Sequence, residues 1–580
     1  MKRKILYSAL VAAIVLPLSC QKDDILDYSG TGASGLEENT SEVDDEQSIS
    51  DVEWNASIGI VFSNSGAAAV SGDTKGIVSV SGNDVTVNNA TGEKITYTLS
   101  GETSDGFFKV YSDTKQAIVL DGVSITNKRG AAINNQGKKT CFIQVQGTNK
   151  LADGTSYTLT PSTEDEKAVL FSEGQLVFSG SGSLLVTASG KSGITSDDYI
   201  VFENAPSIQV VSSSGHGIRG KEYINVNGGS IDVTLTSAAV GKKGFCSDSL
   251  IVFHGGETVI SSAAPAGTVD GSLTGAAGIK ADQVFRMEGG SLTVLCSGKG
   301  SKGIKSGDED EGYSGAMRFA GGSVNVTCTG ANYGTSSGWG SSSSDSKSAK
   351  GIKCDGNIVF CGSEVSVSCS GHEAIEAKGT MDVSGGIVYA YSSADDAVNS
   401  AGDFTVTGGF LCGHSTANDG LDANGNFYIK GGVVYAIGKS SPEVAVDANT
   451  EGGKKLYLSG GTIIAIGGLE NGSSLTQSCY QASSWSKNTW YGLTIGSTVY
   501  AFKTPSSGGS GLVVSGASQP TLSSGVTVSG GDSIFNGTFI CGASLSGGTS
   551  VSLTSYTGGS GGPGGGGPGG GGPGGGGRPW

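Results

Sequence analysis

One short phrase, a small residue followed by an apolar one, recurs along the middle of the chain at a nearly fixed spacing. Its anchors are Ile194, Ile218, Phe245, Ile279, Ile304, Ile352, Ile375, Val398, Leu421 and Val446, with Ala132-Ile133 and Ala168-Val169 as earlier, more degenerate members. Most gaps are 23 to 27 residues; two longer ones, of 34 and 48, hold loop insertions at 262–278, 307–314 and 331–349. Between anchors the residues alternate apolar and polar, interrupted by Gly-Gly at 228–229, 255–256, 289–290, 321–322, 385–386, 408–409, 431–432 and 460–461. A period of this length, made of strands without helices, belongs to stacked β units that bury their faces only against each other. Propeller blades need about 40 residues, and the leucine and asparagine ladder of a leucine-rich repeat is missing. The fold expected is all-β, a parallel β-helix with three short strands per coil.

Alternation decides which side chains face inward. In Ser230-Ile231-Asp232-Val233-Thr234-Leu235 the inward set is Ile231, Val233 and Leu235; Leu292, Val294 and Cys296 repeat it, as do Val324, Val326 and Cys328. Cysteines at equivalent positions (Cys296, Cys328, Cys369) predict an inward stack rather than a disulfide framework, and none has zinc spacing. Glycine, 100 of 580 residues, suits the corners. The expected organisation is a signal peptide at 1–19, an acidic tether at 20–56, a β-rich N-terminal cap at 57–127, the β-helix at 128–470, a β-rich C-terminal cap at 471–557 and a Gly/Pro-rich tail at 558–580.

Lys2, Arg3 and Lys4 precede an apolar run from Ile5 to Leu18, too short to span a membrane as a helix. Leu16-Pro17-Leu18-Ser19-Cys20 resembles a bacterial lipobox, with Cys20 as the lipidated residue and Pro17 as a departure from the pattern. The following Gln21-Lys22-Asp23-Asp24 resembles the export signal of Bacteroidota lipoproteins, which implies the outer membrane with the chain facing the cell surface. The net charge of −17 makes nucleic acid a poor partner.

Equivalent positions of a stacked repeat form columns. Two residues before the anchors stand His216, Lys243, Ala277, Lys302, Lys350, Glu373, Asp396, Asp419 and Val444; one residue after stand Arg219, Cys246, Lys280, Lys305, Lys353, Glu376, Asn399, Asp422 and Asp447. Both columns turn from basic to acidic at the same step. Like charges about 5 Å apart repel, so the acidic half calls for a hard cation. Asp395, Asp396, Asn399, Asn418, Asp419 and Asp422, flanked by Glu373, Glu376 and Asp447, offer the oxygen donors that calcium takes; corner-forming Asp and Asn are the alternative reading. Lys280, Lys302, Lys305, Lys350 and Lys353 could recognise carboxylates of an anionic polymer, or form a solvated face with Lys353 paired to Glu376. Tyr389, Tyr391 and Tyr435 lie on an outward face that could stack on sugar rings; isoleucines beside them (Ile437, Ile464, Ile466) point instead to cover by the C-terminal segment. No catalytic set has recognisable spacing.

Thr96-Tyr97-Thr98-Leu99-Ser100-Gly101, Leu120-Asp121-Gly122-Val123-Ser124-Ile125-Thr126 and Asn418-Asp419-Gly420-Leu421-Asp422-Ala423-Asn424-Gly425 resemble a family of calcium-binding, carbohydrate-binding proteins with a pectate-lyase-like right-handed β-helix. The resemblance covers roughly residues 90–505. It implies binding of acidic plant polysaccharide such as polygalacturonate, or of cellulose, without cleavage, and Asp396, Asn399, Asp419 and Asp422 as calcium ligands. Two other functions stay open: a calcium-dependent polysaccharide lyase, with Lys353 or Lys378 as base, and a structural adhesin or surface spacer.

Overall fold

The computed structural model describes residues 48–558, apart from 159–160, 162, 204–205, 309–311 and 335–345. The expected signal peptide with Cys20, most of the expected tether, much of the 331–349 insertion and nearly all of the tail lie outside the described residues. The chain forms two compact units, Met1–Glu53 and Trp54–Trp580. The described part of the first holds one turn of 3-10 helix, Ile49–Asp51, capped by Ser48.

The second unit is all-β, with no α-helix among its described residues. A 30-stranded and a 14-stranded sheet, both rich in parallel pairs, account for most of it. Within each sheet a strand pairs in parallel with the equivalent strand of the next repeat. The anchors stand opposite one another from Ile194 to Ile218, Phe245, Ile279, Ile304, Ile352, Ile375, Val398 and Leu421. Isolated bridges extend the row to Val446 and Leu469. At its start, Leu170 rather than Val169 stands between Ile133 and Ile194. Both residues of that pair are buried, so apolarity alone does not fix the register there.

The stack begins earlier than residue 128. Ala56–Phe62 pairs in parallel with Ile95–Thr103, and that strand with Gln116–Asn127. Inward positions are sealed: Ile231, Val233, Leu235, Leu292, Val294, Cys296, Val324, Val326 and Cys328 are all at most 2% exposed. Cys296, Cys328 and Cys369 are in register on successive strands, all three free thiols. Phe253, Phe285, Phe319 and Phe360 form an internal ladder with centroids 6.1, 5.6 and 4.9 Å apart. The second glycine of each of the eight repeat Gly-Gly pairs has φ between 69° and 89°, a left-handed corner closed to most side chains.

After the last repeat, Leu512–Ser515 pairs antiparallel with Thr462–Ile466. A separate six-stranded antiparallel sheet, within Trp490–Val551, then packs Tyr491, Leu493, Phe502, Leu522 and Phe539 against Cys412, Tyr435, Ile437, Ile464 and Ile466. The outward isoleucines are thereby buried, as expected for a covered face.

Candidate functional site

The outward side chains of the 14-stranded sheet build the charged face. Register places Arg219, Cys246, Lys280, Lys305, Lys353, Glu376, Asn399 and Asp422 in one row. The bridge of Leu421 to Val446 and of Val446 to Leu469 carries that row on to Asp447 and Glu470. Glu470 was not among the sequence candidates, although Leu469-Glu470 follows Val446-Asp447 by another 23 residues.

The basic half is largely neutralised from within. Lys280 pairs with Asp282 at 2.9 Å and with Asp308. Asp355, its side chain only 1% exposed, receives Lys305 at 3.1 Å and Lys353 at 2.9 Å. Asp282 and Asp355 stand two residues after Lys280 and Lys353, just past the ends of the strands Ala277–Ala281 and Lys350–Cys354. Lys302 is buried, donates to the Ser348 carbonyl oxygen at 3.0 Å, and is pushed down to about 7 by burial and the neighbouring lysines. Burial likewise lowers Lys243 to about 8.

Lys350 marks the change of sign. Its buried ammonium lies 2.9 Å from Glu373 Oε2 and contacts Glu376 Oε2, while Lys378 reaches Glu376 Oε1 at 2.6 Å. His372 contacts Glu373 and lies 2.8 Å from Asp395 Oδ2. Burial opposes the charged forms of Glu373 and Glu376. For Glu373, His372 and Lys350 outweigh it; for Glu376, Lys350 and Lys378 do, so both fall below the usual glutamate range. Asp395 also accepts from Asn418 Nδ2 at 3.0 Å. Glu373, Glu376, Asp395 and Asn418 are therefore tied into an ion-pair and hydrogen-bond chain.

No ion pair to Asp396, Asp419, Asp422 or Asp447 occurs among the described residues. Asn399 Nδ2 joins Asp396 Oδ2 at 3.1 Å to Asp422 Oδ2 at 3.0 Å. Backbone N–H groups of Asp419 and Val444 donate to Asp396 Oδ1 and Asp419 Oδ1, at 3.0 and 2.6 Å. Burial and mutual repulsion push Asp396 and Asp419 up to about 7, Asp422 to about 9 and Glu470 to about 7; Asp447 is raised as well. The donor set is oxygen throughout, without thiol or imidazole. A hard cation would relieve the repulsion within such a cluster, but the groups of three whose ligand atoms already lie within 4.8 Å of one another, among the described residues, are His372, Glu373 and Asp395, and Asp165, Glu173 and Asp197.

The aromatic candidates are dispersed. Tyr435 is buried, packs on Phe502 and Phe539, and donates its hydroxyl to the Lys503 carbonyl oxygen at 2.9 Å. Tyr389 and Tyr391 are less enclosed, Tyr391 lying edge-on to His414 at 5.1 Å. A cavity of about 220 Å³ remains under the C-terminal sheet, lined by Tyr389, Cys412, His414, Tyr435, Lys503 and Thr538 among others.

The family model of carbohydrate-binding domain-containing proteins matches residues 81–420, more than half of the chain and most of the charged face. The chain belongs to that family. No curated protein matches it. Among solved structures, the polysaccharide lyase-like protein from C. thermocellum, studied as a gadolinium derivative, is similar at 22% identity and a TM-score of 0.36. The likeness covers 46% of this chain and 99% of that one.

Proposed function

We propose that the chain is a cell-surface lipoprotein whose stacked strands form a right-handed parallel β-helix, and that it binds an acidic, polygalacturonate-like polysaccharide with calcium, without cleaving it. Family membership supports the polysaccharide. The observation that carries the calcium reading is a pair of adjoining columns, Asp396 with Asp419 and Asp422 with Asp447, carboxyls spread over three successive rungs with raised pKa values and no basic partner among the described residues. These four residues would hold the ion, with Asn399 between them and Glu470 at the edge. Calcium takes six to eight oxygens in flexible geometry, so part of its coordination would be free for a uronate carboxylate. The lysines are poorer candidates for that task, because Asp282, Asp308 and Asp355 already neutralise Lys280, Lys305 and Lys353. Lipid attachment at Cys20 rests on the lipobox-like run alone.

The lyase reading needs a lysine that is neutral near pH 7 and reaches the substrate. Lys302 and Lys243 have lowered pKa values but donate to the Ser348 and Gly241 carbonyl oxygens, and Lys353 and Lys378 are held by carboxylates. Electrophoretic retardation in gels containing polygalacturonate tests the proposal. Retardation with calcium, its loss with chelator, and no rise in unsaturated-uronate absorbance are expected. Equal mobility in gels with and without polysaccharide would refute binding, and a rising absorbance would replace it with lyase activity.

A further inference from the structure

A second outward row, on the 30-stranded sheet, runs through Asp382, Thr405, Tyr428, Tyr457 and Ser474. Tyr428 and Tyr457 are stacked, with centroids 5.1 Å and planes 11° apart. Lys430 holds its ammonium 4.9 Å from the Tyr428 centroid. Tyr457 is 37% exposed, one of few large apolar residues open to solvent. The rung after it is Ser474, too small to cover an aromatic ring. Inside the same coils, Phe404 stacks on Phe427 at 4.4 Å and both are fully buried. Core burial explains that inner pair; it does not explain an outer pair whose last ring is left open.

The surroundings of the open ring are polar. Asp403, Asn426 and Lys455 form the neighbouring outward row, linked by Asn426 N to Asp403 Oδ1 at 2.8 Å and Lys455 N to Asn426 Oδ1 at 3.2 Å. Lys430 lies two residues beyond Tyr428 on the same face. A flat apolar ring rimmed by hydrogen-bonding groups matches a pyranose, which has an apolar C–H face and a rim of hydroxyls. We propose that Tyr457, backed by Tyr428, is a stacking platform for one pyranose ring of a bound polysaccharide, which takes the rung that Ser474 leaves open, with Lys455 beside its polar rim. The site rests on the carbohydrate-binding reading, but lies outside residues 81–420 and away from the acidic row.

Tyr199 and Tyr223 provide an internal control. They stack at 4.5 Å and 12° on the same sheet, but their next rung is the apolar Leu250 where Tyr457 has Ser474. Calorimetric titration of the full chain with oligogalacturonide and with cello-oligosaccharide, in calcium, is the test. Tyr457→Ala should weaken binding about five- to tenfold at an unchanged melting temperature, while Tyr457→Phe and Tyr223→Ala bind as wild type. Wild-type affinity in Tyr457→Ala, or an equal loss in Tyr223→Ala, would overturn the platform and leave carbohydrate binding standing. A wild-type chain that binds neither sugar would overturn the carbohydrate reading and the platform with it.

Discussion

Lys350→Met removes the buried cation at the point where the charged row changes sign. In the native chain its ammonium lies 2.9 Å from Glu373 and also contacts Glu376, all three side chains being at most 9% exposed. At that distance and an effective dielectric near 20, one such attraction is about 6 kcal/mol before desolvation is subtracted. Removing one partner of a buried pair costs about 3–5 kcal/mol, because the remaining charge is stranded. His372 and Lys378 stay in contact with the two glutamates, which places the expected loss near the lower end, about 3 kcal/mol at pH 8. The folded pKa values of Glu373 and Glu376 are depressed, so their stabilisation is present above the unfolded value of about 4.3 and is lost as pH falls through the folded values. Without Lys350 each carboxyl loses one of the partners that oppose burial, so its folded value moves up in the variant. The difference between wild type and variant should therefore be largest at pH 8 and shrink toward pH 4. Denaturant unfolding followed by circular dichroism at pH 4, 6 and 8 measures it. A difference that does not change with pH, or one below about 1 kcal/mol at pH 8, would refute the reasoning.

Metal-free protein should behave in the opposite sense over the acidic row. Asp396 and Asp419 at about 7 and Asp422 at about 9 are raised, so their contribution is present below the unfolded value of about 3.9 and is lost as pH rises through the folded values. The melting temperature in chelator should fall between pH 5 and pH 8, and calcium should restore more at pH 8 than at pH 5; a flat profile would contradict this. Hydrogen exchange should show residues 373–450 losing protection first on chelation, with Asp419→Ala and Asp422→Ala insensitive to chelator; uniform loss along the stack would count against a local site. Gly303→Ala should destabilise by more than about 2 kcal/mol, since the new Cβ would lie 2.3 Å from Val326 Cγ1 and 2.5 Å from the Gly351 carbonyl oxygen. Thermal melting of that variant checks it.

Alternation and period made the stack legible. The inward residues and the row of anchors follow from a two-residue repeat inside a 23-residue one, and both depend only on backbone geometry. The register at Val169 and Leu170 was less legible because both side chains are apolar and both are buried. The charged rows were readable as rows, but their pairing was not. Whether Lys350 or Lys353 reaches Glu376 is decided by side-chain direction, and the buried counter-ion Asp355 belongs to a corner rather than to an anchor phrase. Glu470 was missed because the last bridge of the row, Val446 to Leu469, lies outside any regular strand. Tyr428 and Tyr457 were overlooked for a similar reason: 29 residues separate them, and only the paired register of Phe427–Ile429 with Leu456–Leu458 brings their rings together.

The most direct test of calcium-mediated recognition is a crystal structure of the full chain soaked with calcium and an oligogalacturonide. Expected is an ion about 2.3–2.6 Å from carboxylate oxygens of Asp396, Asp419, Asp422 and Asp447, with a uronate carboxylate completing its coordination. An oligogalacturonide bound elsewhere, with protonated carboxyls and no ion along that row, would contradict it.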